Sequence, residues 1–275
     1  MNIESGLVER RWPIDKPPTV VLTRPFGPNE GADTLGQRIQ ECGFTVARLP
    51  ALKVEPLPLD ESDKKIIRTL ETGGPDWVAW LSPTSVYVTR DLLHALCHSA
   101  LLHPLIRLAA QGPGTAKACE ECFQRVAELV PPVFIAEEFA DALFNTVPAS
   151  ASILLLQAAD GRNVVGPTLS ARGRAVQTLS TYHTVPMKPE GASLQRLVEI
   201  GPDNLIFLFM SPSAVAAIAD VFRHVPSLLR TVTVVTVGPT TSRAAQEAGC
   251  VHVFEAQSHS EEGVFQRIKS FLSNV

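Results

Sequence analysis

The chain has 275 residues, 45% hydrophobic and 19% charged, with a formal net charge of −4. That apolar share supports a core and excludes a mainly disordered chain. The negative balance excludes a global positive field for nucleic acid or anionic lipid, so an anionic ligand must be held by local groups. No apolar run approaches the roughly 18 residues of a membrane span, and the best, Asn204 to Met210, is strand-sized. The opening residues mix Glu4, Glu9, Arg10, Arg11 and Asp15 with Pro17-Pro18 and lack the apolar stretch of a secretory signal, so residues 1–19 read as a loose leader. Five cysteines, odd in number and scattered, argue against a disulfide framework and for a reducing compartment. The expectation is a soluble, cytoplasmic protein.

In chain order, Val20 to Thr23 reads as a strand, followed by a helix from Ala32 to Cys42 that Gly43 stops. Phe44 to Leu49 is the next strand, ended by Pro50. Further strands are expected at Trp77 to Leu81, Ile106 to Ala110, Val126 to Val130, Ile153 to Leu156 and Ala175 to Tyr182. Three more follow at Leu205 to Met210, Val232 to Val237 and Val251 to Phe254. Helix-start signals such as Ser82-Pro83 and Ser211-Pro212, and stop signals such as Gly173 and Gly249, fall between them. Alternation of helices with apolar, β-branched strands predicts an α/β protein with parallel sheets covered on both faces.

The chain also repeats itself at about half its length. Ser82-Pro83-Thr84-Ser85-Val86 returns 129 residues later as Ser211-Pro212-Ser213-Ala214-Val215. Gly112-Pro113-Gly114-Thr115 returns 126 residues later as Gly238-Pro239-Thr240-Thr241. The junction Cys42-Gly43-Phe44 is echoed 130 residues on by Arg172-Gly173-Arg174. Three anchors in one order at nearly one interval imply two related α/β units of about five strands each.

The repeated segments are also where chemistry could sit. Ser is a preferred N-cap, and Pro at the first helical position gives up only an N–H with no intrahelical partner. Each Ser-Pro follows an apolar strand, so the free amides of its helix lie at the carboxyl end of a sheet, where open α/β folds bind ligands and anions are favoured. Ordinary strand-to-helix punctuation accounts for one copy about as well. Gly112 and Gly238 permit close backbone approach, while Thr115 and Thr241 offer hydroxyls near the next helix start. Four such junctions would form two rims of amides and hydroxyls suited to a polyanion. Cys119 and Cys122 lack a second pair, and His94 and His98 lack a further ligand in pattern, so no metal site is expected. Dinucleotide, P-loop and nucleophile-elbow fingerprints are absent. Tyr182, one of two tyrosines, lies between the units, where a phenol can donate a proton to a leaving group; packing against a neighbouring strand is the plain alternative.

Taken together, Leu22-Thr23-Arg24-Pro25, Trp80-Leu81-Ser82-Pro83, Tyr182-His183-Thr184-Val185-Pro186, Phe209-Met210-Ser211-Pro212 and Val237-Gly238-Pro239-Thr240-Thr241 resemble the uroporphyrinogen-III synthase family. The resemblance runs from about Val20 to the C-terminus. It implies two flavodoxin-like lobes joined by a two-stranded linker, with no cofactor. The lobes would be residues 20–51 with 187–275, and 56–181, with linkers at 52–55 and 182–186 acting as a hinge. The repeat alone would instead divide the chain into 19–146 and 151–275. Two departures from the family stand out. Leu81 and Met210 stand where it often has Thr, and Gln157-Ala158-Ala159-Asp160-Gly161-Arg162 replaces an Arg-Gly-rich strand end.

The implied reaction takes hydroxymethylbilane, removes its terminal hydroxyl, and closes uroporphyrinogen III with the last pyrrole ring inverted. Tyr182 is the expected donor to the leaving hydroxyl. Ser82, Thr84, Ser85, Gly112, Thr115, Ser211, Ser213, Gly238, Thr240 and Thr241 are the expected binding residues. The implied protein is a monomer, without nucleic acid or membrane, with the preceding pathway enzyme as a candidate partner. The rival is a non-catalytic two-lobed sensor of an anionic small molecule, which the same rims would serve.

Overall fold

A computed structural model describes residue 12 and residues 17–25, 33–99 and 101–272. Most of the expected leader and the first residue of the helix expected from Ala32 lie outside the described residues. The described chain falls into two compact units, one drawn from residues up to Lys53 and from Val185 onward, the other Val54–Thr184.

The first unit opens with β1 (Thr19–Leu22), α1 (Thr34–Glu41) and β2 (Thr45–Arg48), and β3 (Leu52–Pro56) crosses into the second. The second unit continues with α2 (Glu61–Thr72), β4 (Trp77–Trp80), α3 (Pro83–Cys97), β5 (Arg107–Ala110), α4 (Pro113–Phe123) and α5 (Ala136–Thr146). It ends with β6 (Ile153–Ala158), α6 (Val165–Ala171) and β7 (Val176–Pro186), the last leading back to the first unit. There follow α7 (Gly191–Ile200), β8 (Leu205–Phe209), α8 (Pro212–Val221), α9 (Pro226–Thr231), β9 (Thr233–Thr236), α10 (Pro239–Glu247), β10 (His252–Glu255) and α11 (Glu261–Lys269).

The first sheet has the order β10-β9-β8-β1-β2, all parallel. In the unit's own strand sequence this is the 2-1-3-4-5 order of a doubly wound sheet. The second has the order β3-β7-β6-β4-β5, parallel from β5 through β7. At its edge, bonds from Leu57 N to Thr181 O and from Met187 N to Ala51 O fix β3 antiparallel to β7. Central strands such as β4 and β8 are apolar along their whole length because they are buried on both faces. In β4, Val78 and Trp80 enter one core layer with Leu108, Leu154 and Leu156, while Trp77 and Ala79 enter the other with Ile153, Leu155 and Phe139. In the first unit, Val21, Phe207 and Phe209 pack on one face, and Val20, Leu22, Ile206 and Leu208 on the other. Each large side chain removed from water contributes about 1.5–3 kcal/mol before chain entropy is charged against it.

One expected strand is not formed. Val126 to Val130 contributes a single bridge, Ala109 with Leu129, and Val126 is 68% exposed. Glu128 N and Leu129 N both donate to Leu108 O, but Pro131 and Pro132 follow and supply no N–H to extend the pairing. A second difference concerns β7, which does not close at Tyr182 but runs on to Pro186. Among the described residues no helix is long and apolar enough to cross a membrane.

Candidate active site

In the second unit β4 and β6 are neighbours whose connections leave in opposite directions, β4 through α3 to β5 and β6 through α6 to β7. That reversal opens a crevice beyond the strand carboxyl ends. A pocket of about 240 Å³ occupies it, lined by Leu81, Ser82, Gln111, Gln157, Arg162 and Tyr182 together with small neighbours.

Ser82 follows β4 in extended conformation and caps α3, with its Oγ accepting from Ser85 N at 3.1 Å. Ser85 closes the capping box, its Oγ accepting from Ser82 N and donating to Ser82 O at 2.7 Å. Ser85 is fully buried, so its hydroxyl holds the turn and is not presented to a ligand. Behind the cap, Trp80 Nε1 donates to Thr89 Oγ1, and Thr89 Oγ1 donates to Ser85 O, tying the helix to the strand beneath it.

Tyr182 reaches the pocket because β7 is irregular. Gln157 pairs with Ser180, whereas Ala158 pairs with Tyr182, so β7 carries one extra residue at this point. Ala159 N donates to Tyr182 O at 2.8 Å, and Thr184 donates through both N and Oγ1 to Asp160, fixing the strand on either side. The Tyr182 hydroxyl then lies 2.9 Å from Ser82 Oγ. Burial pushes the phenol's pKa up, the bond to Ser82 draws it back, Asp160 pushes it further, and Thr84 draws it back; the net shift is upward. Such a phenol stays protonated well above neutrality and is equipped to donate.

The remaining expected residues stand at other strand ends. Gly112 lies two residues past β5 and caps α4 without a side-chain bond, and Thr115 is buried in the first turn. In the first unit Ser211 caps α8, accepting from Ala214 N at 3.2 Å, while Ser213 is exposed. Gly238 caps α10, where a Cβ would meet the His259 ring at 3.0 Å, so close packing favours glycine there. Thr240 is exposed and Thr241 buried. Thus Ser82 and Tyr182 line one pocket, with Thr84 beside the Tyr182 phenol. Ser211, Ser213, Gly238, Thr240 and Thr241 form a separate set in the other unit. Gln111, Gln157 and Arg162 line the pocket but lie outside the residues selected from sequence; the one signal was a polar run ending the apolar strand Ile153 to Leu156. Cys119 is packed in the core with its thiol pushed up to about 12 by burial, which suits packing and not metal or redox work.

A doubly wound sheet with a hydroxyl-lined crevice at its switch point defines an α/β unit that binds or transforms a small molecule. The family model described as Uroporphyrinogen-III synthase HemD matches residues 33–266, and the chain belongs to the uroporphyrinogen-III synthase family. Among solved structures it is similar to uroporphyrinogen-III synthetase from Helicobacter pylori, with 19% identity, a TM-score of 0.57, and coverage of 92% of this chain and 99% of that one. It is also similar to a mutant uroporphyrinogen III synthase from the extremely thermophilic bacterium Thermus thermophilus, with 19% identity, a TM-score of 0.50, and coverage of 92% and 98%. At that identity the structures speak for the fold, and the family match carries the enzyme class, a cyclising lyase of tetrapyrrole biosynthesis. Among curated proteins, no sequence is significantly similar to this chain.

Proposed function

We propose that the Tyr182 pocket is where hydroxymethylbilane loses its terminal hydroxyl before closing to uroporphyrinogen III. The carrying observation is the hydroxyl pair, buried Tyr182 with half-buried Ser82 at 2.9 Å, facing a pocket at the switch point of the second sheet. As the C–O bond breaks, its electron pair goes to oxygen, which takes the Tyr182 proton and departs as water. The pyrrole nitrogen's electrons fill the carbon left behind. Closure at the substituted carbon of the last ring, followed by rearrangement, releases one proton, which returns to Tyr182. Ser82 holds the phenol in line, and the low polarity that burial creates strengthens the donated bond.

Simple end-to-end closure needs no enzyme, so orientation of the flexible substrate is much of the task. Arg162 at the pocket, paired with Glu137 at 3.0 Å, is placed to trade that partner for a substrate carboxylate. Thr84 and the free amides that open α4 beside Gly112, in the same unit, supply further donors for acetate and propionate groups. We read the protein as a cytoplasmic monomer that needs no cofactor. The test is incubation with hydroxymethylbilane and analysis of the porphyrin isomers after oxidation. Isomer III above the uncatalysed isomer I background is expected from the wild type. Tyr182→Phe should bind substrate yet turn it over far more slowly, and unchanged turnover would remove Tyr182 from the mechanism.

A further inference from the structure

Gln157 ends the apolar run of β6, is 7% exposed and lines the same pocket, yet its Oε1 has no hydrogen-bond partner. Buried acceptors are seldom left unpaired, because losing water without a replacement costs free energy. A leucine of similar volume would avoid that cost, so the amide needs another explanation. The pocket's other polar groups do not need it. Tyr182 and Ser82 bond each other, Gln111 Nε2 donates to Phe134 O, and Arg162 pairs with Glu137. No carboxylate is among the pocket's lining residues, so nothing there is a strong acceptor for a positively charged N–H.

We propose that the Gln157 amide contacts the substrate, its carbonyl oxygen accepting the N–H of the pyrrole ring that becomes cationic when the hydroxyl leaves. This rests on the reading of the pocket given above. Departure of water turns that pyrrole nitrogen from a neutral donor into a cationic one, so a fixed acceptor gains strength as the reaction proceeds. An amide is too weak a base to remove the proton, so the cation survives until the last ring attacks. The interaction strengthens toward the transition state, so its loss lowers kcat more than it raises KM.

The experiment compares wild type, Gln157→Leu and Gln157→Glu with hydroxymethylbilane, measuring kcat, KM, the isomer III fraction and the melting temperature. Gln157→Leu should lower kcat by roughly 10- to 100-fold with KM within about twofold, while melting at the same temperature or a few degrees higher. Gln157→Glu keeps an acceptor and should retain more of the rate than the leucine variant. Full activity in Gln157→Leu would overturn the proposal. Wild type that makes no isomer III would overturn the reading of the pocket itself. A wild type that makes isomer III with an unaffected leucine variant would overturn only the role of Gln157.

Discussion

The two units share an arrangement of four parallel strands, β2-β1-β8-β9 and β7-β6-β4-β5, but carry different chemistry at the same place. In the second, Trp80 lies two residues before the Ser82 cap and pairs with Leu156, after which the chain reaches Gln157. In the first, Leu208 lies three residues before the Ser211 cap and pairs with Leu22, so the matching position is Arg24. Arg24 binds Asp33 and Glu261, and Asp33 also binds Arg48 and accepts from Gly36 N at 3.0 Å to cap α1. Burial raises the pKa of Asp33, but the Gly36 bond, the Arg24 charge and the two arginine bonds outweigh it and hold the carboxyl below its usual value. At the first unit's switch point an ion network thus fastens α1 to the sheet. The other is left with an uncharged amide, a phenol and a pocket. The side chain just past the strand thus differs between the two repeats, an ion-paired arginine in one and an uncharged amide in the other.

The predictions separate those two roles. The largest effect is expected from Tyr182→Phe, which removes the donor but leaves the ring in its buried place. Turnover should fall by about 10²–10⁴-fold with little change in melting temperature, checked by steady-state kinetics and thermal unfolding. Asp33→Asn should do the reverse. It leaves two arginines beside a neutral side chain and costs about 2 kcal/mol, or about 4–8 °C in Tm, with kcat retained below the transition.

Ser82→Ala and Ser211→Ala form a matched pair. Each loses a cap worth about 1 kcal/mol, so denaturant midpoints should fall alike. Only Ser82→Ala also frees the Tyr182 hydroxyl, and only it should depress kcat, by about tenfold; Ser211→Ala should keep kcat near wild type.

The smallest effects are in pH dependence. Asp33, with its lowered pKa, contributes stability that is full above the ordinary value of 3.8 and lost as pH falls through the lowered one. Acid unfolding followed by circular dichroism should therefore begin below pH 3.8 in the wild type, and Asp33→Asn should lack that component. Tyr182, with its raised pKa, favours the fold fully below its ordinary value of 10.0, and that contribution is lost as pH climbs through the raised one. The rate should show no loss from this group up to pH 10, which a pH–rate profile checks.

Much of this fold could be read from the residues, for a physical reason. Strands buried on both faces, such as Trp77–Trp80 and Leu205–Phe209, have no polar positions and stand out as apolar runs. The edge strand β3, reading Leu-Lys-Val-Glu-Pro, does not, because one face meets water. Val126 to Val130 misled for the opposite reason, since its apolar, β-branched content looks like a strand while the two prolines after it supply no N–H to extend its single bridge. In the site, Ser82 announced itself as a cap, and Tyr182 through its place in the Tyr-His-Thr-Val-Pro segment. Gln157 had no such mark. What singles it out is an unpaired atom in a pocket, which no local pattern near Gln157 encodes.

The central claim is that catalysis resides at the second unit's switch point and stability at the first unit's. Its most direct test is isomer III formation at saturating hydroxymethylbilane by Tyr182→Phe and Asp33→Asn side by side, at a temperature where both are folded. Turnover should collapse toward the isomer I background in Tyr182→Phe and stay near wild type in Asp33→Asn. Near-wild-type turnover in Tyr182→Phe, with collapse in Asp33→Asn, would contradict it.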